Sequence, residues 1–217
     1  EWYSGLIEDA RTHLEAALAI ARELGDRDLE GRVMSNLGGM HFSQGRLEEA
    51  RPHLERALAI ICEMGDRRAE GRILNTLSLI DRSQSRMEEA GAYAERALAV
   101  ARLAGDRHTE GGVLNNLGLL QHDRGRTEEA RAHYEAALAI PREIGNRRFE
   151  GNVHANLGNL NYNQGRMEEA RAHMEAALAI HRETGDRFAE GIARNNLGSL
   201  HAAQGQVEEA RTYYEEA

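Results

Sequence analysis

Lysine is absent from this sequence, and proline, cysteine and aromatic residues are scarce. All 27 basic residues are arginine, which excludes a lysine-containing phosphate loop and lysine-based Schiff-base chemistry. Only two prolines interrupt a chain rich in alanine, glutamate, leucine and arginine, so helix is favoured throughout. The single cysteine, Cys62, cannot form an internal disulfide, and this favours a cytoplasmic location.

Long apolar runs and excess positive charge are also missing. The longest apolar run lies around residues 57–62, far short of the ~18 residues needed to cross a bilayer. The formal net charge is −9, and no basic stripe interrupts it. We therefore predict neither a membrane nor nucleic acid as a partner.

The sequence does contain a repeat of forty residues. EARAHYEAALAI at 129–140 and EARAHMEAALAI at 169–180 differ only where Tyr134 becomes Met174. Glycine and leucine columns recur at the same interval, at Gly31, Gly71, Gly111, Gly151 and Gly191, and at Leu37, Leu77, Leu117, Leu157 and Leu197. Such self-similarity predicts a solenoid, in which each unit buries its apolar face against its neighbours.

Four complete repeats fit the sequence, and both ends cut through a further one. The complete repeats are residues 31–70, 71–110, 111–150 and 151–190. Residues 1–30 are the end of a preceding repeat and residues 191–217 an incomplete following one. We therefore expect one array across residues 1–217 that is a piece of a longer protein.

Each repeat predicts two helices. Apolar residues in 66–104 recur at helical spacing, and a glycine follows each apolar stretch, as is typical of a helix C-terminus. Asp or Asn after the second glycine is suited to cap the next helix. We expect helix A at about 27–44 and helix B at about 47–64, recurring every forty residues. Arg67 with Glu70, and Arg147 with Glu150, can pair on the first turn of helix A.

The order Asn36-Leu37-Gly38, Gly45, Ala50, Ala57-Leu58 resembles the tetratricopeptide repeat. The segment GDRDLEGRVMSNLG (25–38) is similar to the forty-residue repeats of the Leu-Gly-Asn (Pins) spindle-orientation proteins, and more loosely to kinesin light chains and bacterial signalling proteins. The resemblance implies an all-α, right-handed solenoid of antiparallel helix pairs. A bias towards arginine, alanine and glycine indicates a bacterial gene.

Some helix A positions differ between repeats in chemistry as well as in size. Spaced three, four and three residues apart, they form one stripe, which in the resembling families lines a concave, peptide-binding groove. The predicted groove residues are Arg32, Asn36, Phe42, Arg72, Asn75, Leu79, Arg82, Asn115, Leu119, His122, Asn159, Tyr162 and Asn195. The alternative is relaxed solvent exposure. For the asparagines at 36, 116, 156 and 196, a structural hydrogen bond between helices is as good an interpretation as a peptide clamp.

Chemistry-bearing residues do not form a recognisable catalytic or metal motif. One histidine per repeat, in the column of His13, His53, His133 and His173, places these side chains roughly 10 Å apart, too far to share a zinc ion. Cys62 lies at the end of an apolar helix run, and no Ser, His and Asp form a known motif. We predict no catalysis, no cofactor and no metal.

The predicted function is a protein-interaction scaffold that binds an extended or helical peptide in the groove of the A helices. Arg32, Arg72 and Arg82 favour acidic peptide residues opposite repeats 1 and 2, unless these arginines pair with Asp81 or with helix B glutamates. The alternative function is a regulatory or sensor segment of a larger bacterial kinase, protease or ATPase. We also expect weak self-association through apolar ends, formed by Trp2, Tyr3, Leu6, Val207 and Tyr214.

Overall fold

The computed structural model describes residues 2–217, with side chains from residue 8 onward. This part of the chain is helical, without a β-strand. The helices are α1 (Trp2–Leu24), α2 (Arg27–Ser43), α3 (Leu47–Met64), α4 (Arg67–Ser83), α5 (Met87–Leu103), α6 (Arg107–Asp123), α7 (Thr127–Ile144), α8 (Arg147–Asn163), α9 (Met167–Thr184), α10 (Arg187–Ala203) and α11 (Val207–Glu215). The predicted helices A and B are confirmed to within a residue or so at each end from α2 to α10, whereas α1 begins at Trp2, ahead of its predicted start near residue 7.

The chain divides into two compact units, residues 1–113 and residues 114–217. The border falls inside α6, the first helix of the third predicted repeat. In unit 1, each helix from α1 to α5 packs against the next along the chain, and in unit 2 the same holds from α7 to α11.

Helix pairs within a repeat are antiparallel. A Cβ atom built on Gly38, near the end of α2, would meet Leu54 near the start of α3, whereas one on Gly31 would meet Ile60 near its end. The same crossing recurs in unit 2, where Gly158 lies against Met174 and Gly151 against Ile180. The predicted all-α architecture of antiparallel helix pairs is confirmed.

The turns between helices use the predicted capping residues. Asp66 Oδ1 accepts the amide of Ala69 at 3.0 Å, and Asn146 Oδ1 accepts that of Phe149 at 3.1 Å. Glycine occupies the left-handed position between the helices of a repeat, except at Ser85, where φ is +59°. Serine is strained at this angle, so repeat 2 has the least favourable turn of the array.

The leucine column forms the core, as predicted. Leu37, Leu77, Leu117, Leu157 and Leu197 are all buried, together with the small residues Ala50, Ala57 and their counterparts on α5, α7 and α9. Small side chains let the helix backbones approach closely, so the core of each unit is a continuous layer between successive helices.

A buried glutamate ties each turn between repeats together. Glu150 accepts a hydrogen bond from Arg142 Nε at 2.8 Å and pairs with Arg147. The predicted Arg147–Glu150 pair is thus confirmed, but the second arginine, across the turn, was missed. Glu30, Glu110 and Glu190 each accept from the arginine eight residues before them in the same way. At the end of repeat 1, Cys62 occupies that arginine position, and Glu70 accepts from Arg96 of the following helix instead of the predicted Arg67.

Candidate functional site

The variable stripe of unit 1 lies on the side of α2 and α4 that faces away from the leucine core. Its members are exposed or half-buried, with core leucines on the opposite side of each helix. The stripe residues placed there are Arg32, Asn36, Phe42, Arg72, Asn75, Leu79 and Arg82. Polar, aromatic and aliphatic groups therefore share one accessible stripe on the side opposite the conserved leucine column of the repeats.

The arginines of this strip have different surroundings. Arg32 forms an ion pair with Asp28 one turn earlier on α2. Arg72, together with Arg68, contributes positive charge beside Asp106. Burial opposes ionisation of the Asp106 carboxyl, but hydrogen bonds from Thr109, aided by the two arginines, outweigh it and hold its pKa below the ordinary value.

Asp81 was one suggested partner for these arginines, and the structure shows that Arg51 and Arg86 bind it. Its buried carboxylate accepts a hydrogen bond from Arg86 Nε at 2.6 Å and pairs with Arg51 of the preceding repeat. Asp81 therefore ties α3 and α4 together within unit 1, and its negative charge is already compensated there.

In unit 2 the stripe runs along α6, α8 and α10, and neighbouring A helices are linked through it. Asn156 Nδ2 donates to Asn115 Oδ1 at 2.8 Å, and the side chains of Asn163 and His122 hydrogen-bond at 3.1 Å. For Asn156 the structural interpretation of the asparagine column therefore holds. Asn115 is buried and its oxygen is used, which leaves it little surface for a ligand.

The other stripe positions of unit 2 remain accessible. Leu119, Asn159 and Tyr162 are half-buried and Asn195 is exposed. The sequence analysis missed one exposed aromatic residue on α10: Phe188 exposes 81% of its surface. The signal was present in the sequence, since the corresponding residues of the other repeats are charged or histidine (Asp28, Arg68, His108 and Arg148).

Histidines pair within repeats in a way that the sequence did not reveal. His41 and His53 stack with ring centroids 5.5 Å apart, and the Nδ1 atoms of His154 and His173 lie 2.9 Å apart. Burial, followed by the mutual charge repulsion of the pair, lowers the pKa of His154 to about 4. Where side chains are described, no three His, Cys, Asp or Glu residues converge as a metal site would require.

Of the two apolar surfaces predicted to self-associate, only the one near the C-terminus has its side chains described. Val207 is exposed and Tyr214 partly so, although the ring of Tyr214 packs against Gly198. Trp2, Tyr3 and Leu6, named in the self-association hypothesis, lie outside the residues whose side chains are described. Among the described helices, none combines the length and apolar character of a membrane span.

The sequence profile of the tetratricopeptide repeat matches residues 1–63, 70–143 and 150–217. The chain therefore belongs to the tetratricopeptide repeat family, as its motifs predicted. Repeats of this family generally mediate protein–protein interaction and act as non-catalytic scaffolds. No curated protein matches the chain in sequence.

Solved structures share the fold at low sequence identity. BtubC (BKLC) from P. vanneervenii is 22% identical with a TM-score of 0.79, over 96% of this chain and 88% of that one. A signal transduction ATPase with numerous domains and a tetratricopeptide repeat sensor, from Pyrococcus horikoshii, is 21% identical with a TM-score of 0.77, over 97% of this chain and 33% of that one.

A third similar structure is a Rap protein complexed with competence and sporulation factor. It is 19% identical with a TM-score of 0.77, over 86% of this chain and 52% of that one. The chain thus spans a third to about half of these last two proteins. At such identities the likeness establishes the fold.

Proposed function

We propose that the chain is a protein-interaction scaffold whose A-helix stripe binds an extended or helical peptide segment. The observation that carries this proposal is the contrast between two columns of the same helices. Leu37, Leu77 and their counterparts are identical and buried, whereas the stripe residues change chemistry from repeat to repeat and, apart from Asn115, remain accessible. A constant frame that presents varied side chains is suited to reading a peptide sequence.

The helices that carry the stripe are held in place by side-chain hydrogen bonds and ion pairs. In unit 1, Arg51 and Arg86 converge on Asp81, and in unit 2, Asn156 and Arg131 link neighbouring repeats through side-chain hydrogen bonds. Groups that are already held in place lose less conformational entropy when a ligand binds. A preformed surface of this kind supports the binding of a flexible segment.

Charge defines the peptide that unit 1 would prefer. Arg32, Arg72 and Arg82 are spread over α2 and α4, and arginine suits bidentate capture of carboxylates. Asp28 and Asp106 partly offset this charge. The proposed ligand therefore carries acidic residues opposite repeats 1 and 2, where a carboxylate on the ligand would compete with these two aspartates.

The test is charge reversal on α4. A peptide is first selected from a random library with the parent chain, and its affinity is then measured for the double variant Arg72→Glu, Arg82→Glu. The expected loss is at least about 2 kcal/mol, with helicity unchanged. The matched control, Arg56→Glu with Arg211→Glu, makes the same change of net charge on B helices and should have little effect. Equal affinity in parent and stripe variant would remove the stripe from the site.

A second candidate function follows from the likeness to a repeat sensor. The chain aligns over nearly its whole length with an ATPase that carries a tetratricopeptide repeat sensor. In this alternative the stripe binds a segment of the chain's own effector domain. Reading the gene on both sides of residues 1–217 distinguishes the two: an adjoining kinase, protease or ATPase domain favours the regulatory role.

A further inference from the structure

Unit 2 contains a cavity on its stripe face, between α8 and α10. Its volume is about 170 Å³. Three alanines, Ala155 on α8 with Ala189 and Ala193 on α10, form much of its wall, and His181 at the end of α9 also lines it. Ala155 occupies a position of the predicted stripe, that of Asn75 and Asn115, but none of the four residues was among the predicted groove residues.

The cavity lies where α8 and α10 have small residues and the corresponding helices of most other repeats have larger ones. At the position of Ala193 the other repeats have Val33, Ile73, Val113 and Val153. At the position of Ala155 they have Ser35, Asn75, Asn115 and Asn195. Ala189 corresponds to Leu29, Ala69, Thr109 and Phe149. Truncation at neighbouring positions opens space that the repeat normally fills.

His181 adds a polar group to this space. The corresponding residues are Ala21, Ile61, Ala101 and Pro141, so histidine is peculiar to this repeat. His181 is 2% exposed, and its buried Nδ1 has no hydrogen-bond partner in the described part of the chain. A buried imidazole without a partner is costly. A ligand group that both fills the cavity and bonds to the ring would remove that cost.

We propose that this cavity is a socket for a tyrosine side chain of the bound peptide, with the phenol hydroxyl hydrogen-bonded to His181. An apolar cavity of about 150 Å³ accommodates benzene, so a single six-membered ring fits the available volume. A neutral imidazole has one donor and one acceptor nitrogen, and a phenol hydroxyl can serve either. The socket rests on the proposed groove, since it specifies one residue of the same peptide.

The surroundings favour an aromatic residue over a charged one. Ile192 lines the cavity and is 46% exposed, and Phe188 lies one turn earlier on α10 with its ring in solvent. Arg148, at the position of Phe188 on α8, is also largely exposed, so this position faces solvent in both repeats. A carboxylate in the socket would lose its hydration among these apolar groups. The amides of Asn152 and Asn156, which also line the cavity, offer further partners to a hydroxyl.

Binding of p-cresol, the side-chain analogue of tyrosine, tests the socket without any peptide. In NMR titrations of the 217-residue chain, p-cresol should shift the His181 ring and Ala193 methyl resonances saturably. Toluene, which lacks the hydroxyl, should bind at least about tenfold more weakly, because it leaves the imidazole unpaired. Equal binding of the two compounds would overturn the hydrogen bond to His181.

Two variants introduce residues that other repeats have at the same positions. Ala193→Val fills the cavity with the residue of three other repeats and should abolish p-cresol binding. His181→Ala should reduce the affinity for p-cresol to that for toluene. Ala203→Val, the same substitution at an exposed position of α10, is the control and should bind like the parent. Unchanged p-cresol binding by a folded Ala193→Val variant would overturn the socket.

A second experiment, with peptides, tests the tyrosine socket separately from the proposed groove. Peptides selected from a random library by the parent chain are remade with each tyrosine changed to phenylalanine or to alanine. The socket predicts at least a tenfold loss for one tyrosine in the parent, and no such loss in Ala193→Val. Peptides that bind through the α4 arginines but tolerate every tyrosine change would overturn the tyrosine socket while leaving the groove intact.

Discussion

Ser78 Oγ donates a hydrogen bond of 2.8 Å to the carbonyl oxygen of Ala90 on the next helix. The other repeats have glycine at the position of Ser78, and in each of them a large side chain lies opposite. A Cβ atom on Gly118 would come within 2.5 Å of the Tyr134 ring. In repeat 2 the opposing residue is Ala94, which leaves room for the serine. Repeat 2 therefore replaces the pairing of glycine with a large side chain, as in Gly118 with Tyr134 and Gly158 with Met174, by the pair Ser78 and Ala94.

Exchanging the packing solutions of two repeats should reveal this coupling. Gly158→Ser alone should cost about 1–3 kcal/mol of unfolding free energy, because a Cβ there would lie 2.7 Å from Met174 Cγ. Met174→Ala alone should cost ~2–5 kcal/mol through the cavity that it leaves. The double variant reproduces the arrangement of repeat 2 and should cost at least ~1 kcal/mol less than the sum. Denaturant unfolding measures all three, and strict additivity would contradict the pairing.

The difference between core and stripe can be tested on two A helices of unit 2. Leu117 is buried at 3% exposure, so Leu117→Ala should cost about 2–5 kcal/mol. Asn159 is half-buried on the stripe, so Asn159→Ala should cost less than ~0.5 kcal/mol. Chemical denaturation of the two variants gives both values. Similar losses would mean that the faces of these helices are assigned wrongly.

What the sequence predicted well is what each repeat determines locally. Helix ends, capping residues such as Asn146 and the leucine core depend on patterns a few residues long that recur in every unit. The contacts that were missed join residues far apart in the chain. Asn115 bonds to Asn156, forty-one residues later, and periodicity does not specify which polar partners meet.

The candidate site divides in the same way. The stripe was predictable, because its residues vary along one helix face. The socket was not, because it depends on missing volume at Ala155 and Ala193 and on a histidine, His181, contributed by a different helix. Columns compared for unusually small residues, rather than for variable polar ones, would have found it.

The buried glutamate between repeats makes a prediction about charge. Glu150→Gln keeps the shape of the side chain but weakens its bonds to Arg142 and Arg147. Because hydrogen bonds to charged groups are the stronger ones, we expect a loss of about 1–2 kcal/mol of unfolding free energy. Glu183→Gln, which removes the exposed partner of Arg147, is the matched control and should produce no resolvable change.

The same glutamate contributes to acid unfolding in a defined pH range. Burial raises the pKa of Glu150, but the bonds from Arg142 and Arg147 outweigh it and hold this pKa below the ordinary value. The stabilisation is therefore present above the unfolded pKa and is lost as pH falls through the folded one. Glu150→Gln should flatten the fall of stability below about pH 4.5, as measured by urea unfolding across that range. A variant with the parent's slope there would contradict the assignment.

The His154–His173 pair should make the fold less stable as pH falls, in a range above that of Glu150. In the unfolded chain His154 takes up its proton near pH 6.5, but in the folded chain burial and the neighbouring His173 lower its pKa to about 4. Between these values the unfolded state binds more protons, so stability falls as pH decreases from about 6.5 to 4, by roughly 1–3 kcal/mol. His154→Leu introduces the residue found at this position in repeats 2 and 3, as Leu74 and Leu114, and should remove most of that slope. His13→Gln, at an exposed site on α1, should retain it. Urea unfolding at several pH values between 4 and 7 compares the three proteins, and a full slope in His154→Leu would show that the acid sensitivity arises elsewhere.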